Sequence, residues 1–230
     1  MSLSSPPNPS SPSSPSSPLQ EAALRQGAQV LGLTLTDEQC QKLLAYGALI
    51  LKWSRVYNLT ALRDPEQVLT HHLLDSLAIV APLTRVWPGA GRLLDVGSGA
   101  GLPGVIIAVM RPDLMVDCLD AVAKKMAFVQ QVAVELGLPN LRGIHARVEA
   151  FKGQYELICS RAFASLADFF VGSSHLLAPD GVWLAMKGKR PEEELSRIPE
   201  DLKVFHVEQL MVPGLKEADR CLVWARKSAL

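Results

Sequence analysis

Apolar residues in the first third of the chain recur at helical spacing. Leu19, Ala22, Ala23 and Val30 fall roughly on one face with Gln26. A second helix is predicted from Thr36, where a capping threonine is followed three residues later by its capping-box partner, Gln39. It continues through Leu43, Leu44, Ile50 and Leu51. A third helix is predicted from Asp64-Pro65, with aspartate as cap and proline in the first turn. Its apolar positions run through Val68, Leu69 and Leu73, with His72 and Ser76 among them. Trp53–Thr60 reads as an aromatic and polar connector between these two helices.

The pattern changes after Gly91. Short apolar runs at Arg92–Val96, Met115–Leu119, Leu141–His145, Leu157–Ser160 and Val182–Lys187 alternate with helical stretches at Pro103–Met110, Val122–Leu136 and Leu166–Leu177. Such alternation predicts an α/β fold, a parallel sheet with helices on both faces. Val204–Met211 and Arg220–Ala225 lack a helix between them, so the sheet is expected to end in an antiparallel hairpin. The Ser/Pro-rich start cannot bury enough surface to offset its ordering entropy. The chain therefore divides into a disordered tail over 1–18, a helical segment over 19–88 and a sheet domain over 89–230.

Composition narrows the function. Hydrophobic residues make up 48% of the 230, ample for a core, and 23 basic residues balance 23 acidic ones. Any nucleic-acid surface must then be local rather than global. The four cysteines have no metal-ligand spacing and read as reduced, buried residues. The sequence has neither a membrane-length apolar stretch nor an apparent signal peptide, so a cytoplasmic location without a membrane partner is expected.

The chemistry concentrates in Asp95-Val96-Gly97-Ser98-Gly99-Ala100-Gly101-Leu102-Pro103-Gly104, a strand end followed by a glycine-rich turn and a helix start. Glycines let backbone N–H groups approach a ligand closely. Two readings compete. Gly99 to Gly104 matches the dinucleotide fingerprint, with Asp120 about twenty residues further on. Asp95-x-Gly97-x-Gly99-x-Gly101 instead resembles the first motif of S-adenosylmethionine-dependent methyltransferases. Asp95 could attract the methionine ammonium, where a pyrophosphate would be repelled. Asp120, ending the next strand, suits a ribose diol under either reading. The single nucleotide-binding half and the closing hairpin favour the methyl donor.

Further segments make the resemblance specific. With the loop, they are Tyr57-Asn58-Leu59-Thr60, His72-Leu73-Leu74-Asp75-Ser76, Arg147-Val148-Glu149, Ser160-Arg161-Ala162-Phe163-Ala164-Ser165-Leu166 and Lys187-Gly188. Together they resemble the G family of bacterial small-subunit ribosomal RNA methyltransferases, also called glucose-inhibited division protein B. The resemblance implies a Rossmann-like fold, S-adenosylmethionine as cofactor, small-subunit (16S) ribosomal RNA or its ribonucleoprotein particle as partner, and methylation of guanine N7. It implies cofactor contacts at Gly97, Leu102, Val148, Glu149 and Arg161. Asp95, Gly99, Gly101 and Asp120 join them from the loop and strand-end argument. A monomer is expected.

Guanine N7 has a lone pair and no proton, so its methylation requires positioning rather than a general base. Arg161 is the leading candidate for that task, on cofactor, phosphate or guanine. Phe163 is a candidate to stack the base. Lys187, Lys189 and Arg190 are candidates for phosphate, diluted by Glu192-Glu193-Glu194. Asn58 and His72 are expected to close the site from the helical segment. Cys159 could be weighed as a nucleophile, but its apolar strand marks a core cysteine. A small-molecule methyltransferase and a non-catalytic assembly factor that binds the same cofactor remain the alternatives.

Overall fold

A computed structural model describes residues 17–57, 59–161, 163, 165–215 and 220–228. Among them a sheet of seven strands forms: β1 (Gly91–Val96), β2 (Leu114–Asp120), β3 (Leu141–His145), β4 (Tyr155–Ser160), β5 (Leu177–Lys187), β6 (Leu202–Leu210) and β7 (Arg220–Lys227). The order is β3-β2-β1-β4-β5-β7-β6. The first five strands run parallel, and β7 is antiparallel to both β5 and β6. The terminal hairpin is thus present, with its second strand seated against β5.

β1 lies inside the sheet, between β2 and β4, and its side chains alternate between two cores. Leu93 joins one, while Leu94 and Val96 join the other. Helices α1 (Pro18–Val30), α2 (Asp37–Tyr57), α6 (Gly104–Met110) and α7 (Ala123–Glu135) cover the first face. α8 (Leu166–Ser173) covers the second through Phe169 and Phe170. Between α2 and β1, α3 (Pro65–Val68) runs through a π-helical stretch, Leu69–Leu74, into α4 (Asp75–Leu77), and α5 (Val80–Val86) follows. α9 (Glu192–Leu195) is a single turn between β5 and β6.

Several boundaries differ from the sequence reading. Ser17 and Pro18, assigned to the tail, are the cap and first residue of α1, with Leu19 N–H donating to Ser17 Oγ. Residues 1–16 lie outside the described residues. Trp53–Tyr57 is not a connector but the last turn of α2, where Trp53 packs on Phe128 with ring centroids 5.4 Å apart. The helix expected over Leu166–Leu177 ends at Ser173. There the Ser173 hydroxyl donates to the Phe169 carbonyl at 2.6 Å and accepts from the Trp183 indole at 2.9 Å. A 3₁₀ turn, Ser174–Leu176, leads into β5, which begins five residues before Val182.

Candidate active site

β1 has β2 on one side and β4 on the other, so the crossovers leave it in opposite directions. Ligands of open α/β sheets bind at such a point, outside the carboxyl ends of the strands. The glycine loop lies there and is fixed from two sides. Its Gly97 and Ser98 N–H groups both donate to the Leu119 carbonyl, at 2.8 and 3.2 Å. Gly99 N–H donates to Asp120 Oδ2 at 3.0 Å, and the Tyr46 hydroxyl of α2 donates to the Ala100 carbonyl at 2.7 Å. Gly99 and Gly101 take φ of +60° and +92°, a region side chains rarely enter.

A cleft of about 210 Å³ opens beside this loop, lined by Gly97, Asp120, Ala146, Val148, Glu149 and Phe163 among others. Five of the residues singled out in the sequence therefore meet in one place. Asp120 serves the loop through Gly99 as well as the cleft; its Oδ1 accepts from Val122 N–H at 2.9 Å, and Lys125 Nζ lies 3.5 Å from Oδ2. Leu102 does not line the cleft; it is buried in the core beneath the loop.

Asp95 is fully buried. Its Oδ2 accepts from Gly104 N–H at 2.8 Å, while Oδ1 has no hydrogen-bond partner, like the neighbouring Ser98 Oγ. In register, Asp95 lies between Cys118 on β2 and Cys159 on β4. Burial raises its carboxyl to about 7. Burial, reinforced by Asp95, also pushes the Cys159 thiol well up, which agrees with a core cysteine rather than a nucleophile.

A second cleft, of about 310 Å³, lies beyond the end of β4. Arg161 faces this one, together with His71, Asp75, Lys187 and Arg220. Arg161 donates to the His71 carbonyl at 3.1 Å and pairs with Asp75 Oδ2 at 3.2 Å, and Arg220 pairs with Asp75 Oδ1 at 2.8 Å. Lys187 is held by Glu194 at 2.9 Å. Lys189 and Arg190 are exposed beyond it, with Arg190 paired to Glu192. Phe163 packs on Phe169 with centroids 5.3 Å apart and borders the first cleft, beside Gly97.

His72 turns away from both clefts. It is buried, its Nε2 bonds the Thr60 hydroxyl at 2.9 Å, and burial with Arg161 nearby lowers its pKa to about 4. Asn58 lies outside the described residues. The sequence reading assigned no role to His71, Asp75 or Arg220. One signal was available for Asp75, a lone acid in the apolar run Leu73, Leu74, Leu77. Its pairing with residues 161 and 220 has no sequence signature.

Sheet order, loop and strand-end cleft define the class: a Rossmann-like methyltransferase fold. It matches 1,6-didemethyltoxoflavin-N1-methyltransferase of Burkholderia thailandensis, solved with S-adenosylhomocysteine bound, with a TM-score of 0.56 at 15% identity over 80% of this chain and 90% of that one. It also matches TrmN from Thermus thermophilus, with a TM-score of 0.53 at 18% identity over 70% and 53% of the two chains.

The chain belongs to the rRNA small subunit methyltransferase G family, whose profile matches residues 39–223. It is 59% identical to the ribosomal RNA small subunit methyltransferase G of Albidiferax ferrireducens, over 91% of this chain and 98% of that protein. The protein of the same name from Acidovorax ebreus is 56% identical, over 91% and 96%. Among the described residues no helix is long and apolar enough to cross a membrane.

Proposed function

We propose that this protein transfers the methyl group of S-adenosylmethionine to N7 of a guanine in small-subunit ribosomal RNA. The observation that carries this reading is a pair of clefts of unlike character, linked by a small pocket that shares Phe163 with the first and Met186 and Lys187 with the second. The first presents Asp120 and Glu149 beside the glycine loop; the second presents Arg161, Lys187 and Arg220. The residues of the first cleft fit the cofactor. Asp120 suits the ribose hydroxyls, Val148 the adenine face and Glu149 an adenine or ribose donor. Asp95 and Ser98, buried beneath the loop, act on the ammonium end only through the loop backbone that Asp95 holds by the Gly104 N–H. When bound, the cofactor supplies an electrophilic methyl on a sulfonium.

The protein's own groups then have to orient, not to move protons. Guanine N7 loses no proton on attack, and the nearby titratable groups are poorly placed for a base. His72 is tied to Thr60, and Asp95 and Cys159 are sealed in the core. Alignment supplies most of the acceleration. Arg161 and Lys187 hold the RNA, Lys189 and Arg190 extend the basic rim, and Phe163 lies where a base plane would enter. The protein acts as a monomer in the cytoplasm, where ribosomal subunits are found.

The test is to incubate the purified protein with methyl-labelled S-adenosylmethionine and small subunits from a strain lacking its own N7 methyltransferase. Label should enter the RNA at one guanosine, mapped by strand cleavage specific for N7-methylguanosine. Label found only in small molecules would establish the first alternative. Cofactor binding without any transfer would establish the second.

A further inference from the structure

The geometry points to Asp75 as a positioning residue that presets Arg161 and Arg220 as a two-cation clamp for one phosphodiester of the RNA substrate. This rests on the reading above and assigns a specific part of the RNA to the second cleft. The three residues come from α4, from the end of β4 and from the start of β7, so only the fold unites them. Asp75 is 3% exposed and gives one carboxylate oxygen to each guanidinium, at 2.8 Å to Arg220 Nε and 3.2 Å to Arg161 Nη1. A carboxylate shared in this way holds two like charges side by side, at a separation they would not keep alone.

The cleft they line also holds Lys187, which is paired with Glu194. Both guanidinium side chains are 24% exposed, so the pair is partly desolvated yet reachable from the cleft. Arginine recognises phosphate oxygens through paired N–H donors in a fixed plane. The His71 carbonyl, in the π-wound stretch, accepts from Arg161 Nη1 at 3.1 Å and holds the guanidinium from a second direction. A small pocket that shares Met186 and Lys187 with this cleft also takes in Phe163 of the first cleft, and so links the clamp to the cofactor side.

Salt dependence tests this, because each phosphate neutralised adds about one to the slope of log affinity against log salt. Affinity for unmethylated small subunits is measured across salt concentrations, with kcat and cofactor affinity alongside. Arg220→Gln is expected to lower the slope by about one and subunit affinity at least tenfold at low salt, with cofactor affinity unchanged. Asp75→Asn is expected to keep the slope, since both cations remain, but to lower kcat at least tenfold because they separate. Arg220→Lys should behave like Asp75→Asn, and decides the matter if the latter does not fold. An unchanged slope in Arg220→Gln, or unchanged kcat in both Asp75→Asn and Arg220→Lys, overturns the clamp while leaving the methyltransferase reading intact. A wild-type protein that methylates no RNA overturns both.

Discussion

The Asp120 carboxylate accepts the Gly99 N–H at 3.0 Å, joining the end of β2 to the glycine loop after β1. One acid thus shapes the loop and presents charge to the cleft. Asp120→Ala removes the anchor and a ligand acceptor together. Hydrogen bonds to charged groups contribute about 1.5–3 kcal/mol each. The dissociation constant for S-adenosylmethionine should therefore rise about ten- to hundredfold by titration calorimetry. An unchanged constant would leave Asp120 with the loop-anchoring role alone.

Gly99 and Gly101 should respond differently to alanine. Both have positive φ, which costs a side chain about 1–2 kcal/mol. At Gly99 an added Cβ meets nothing within 4 Å, so Gly99→Ala should lose only that amount. At Gly101 the Cβ would lie 2.6 Å from Val105 Cγ2 and 3.1 Å from Val129 Cγ2. Overpacking adds about 1–3 kcal/mol, so Gly101→Ala should lose about twice as much stability or more in urea unfolding. Equal losses would mean that the loop can shift away from both α6 and α7.

Two buried groups pull stability in opposite directions with pH. The Asp95 carboxyl is raised to about 7 by burial, so the folded protein keeps a proton that the unfolded chain releases near pH 4. Its contribution is full below that point and is lost as pH rises through 7. His72 is lowered to about 4, so the unfolded chain takes up a proton near pH 6.5 that the folded protein refuses. Its contribution is full above 6.5 and is lost as pH falls toward 4. Over the shared window the two offset each other. Asp95→Asn should steepen the rise of stability with pH, and His72→Gln should flatten it, each by roughly 1.4 kcal/mol per pH unit. Urea unfolding at several pH values across the window measures both slopes; parallel wild-type and variant curves would contradict the assignment.

Local signals proved most readable where a few neighbouring residues decide the structure. Thr36 and Gln39 exchange the two capping-box hydrogen bonds, at 3.0 and 3.1 Å. Asp64 caps its helix through Gln67 N–H at 3.0 Å. The buried strands showed as apolar runs, and the missing helix near the end announced the hairpin. The first cleft was legible for the same reason: Gly97, Asp120, Val148 and Glu149 all lie at or just after parallel strand ends, which topology brings to one edge. The second cleft was not. Arg161 could be placed at a strand end, but its direction is set by Asp75, 86 positions away, and Asp75 is in turn held by Arg220 at a distance of 145. Pairings at such separations leave no spacing in the sequence. Asp95 was legible as a strand-end acid before the glycine loop, but its full burial beneath Gly104 at the start of α6 was not.

The layer of helices before the sheet reaches the glycine loop through Tyr46, and this contact can be tested by removing a single oxygen. The ring is fully buried and stacks near Phe128, with centroids 6.3 Å apart, so phenylalanine can occupy the same space. Burial pushes the Tyr46 hydroxyl well above its usual pKa, so it remains a donor to the Ala100 carbonyl throughout the working range. Tyr46→Phe leaves that nearly buried carbonyl without this donor, which costs about 1–3 kcal/mol. Ala100 lies between the two glycines that fix the loop, so the loss should also reach the ligand. S-adenosylmethionine should bind several-fold more weakly, while the salt slope for subunit binding stays as in the wild type. Reduced stability with unchanged cofactor affinity would limit the helical layer to a scaffold. Reduced affinity for both ligands would instead show that the loop and the basic cleft move together.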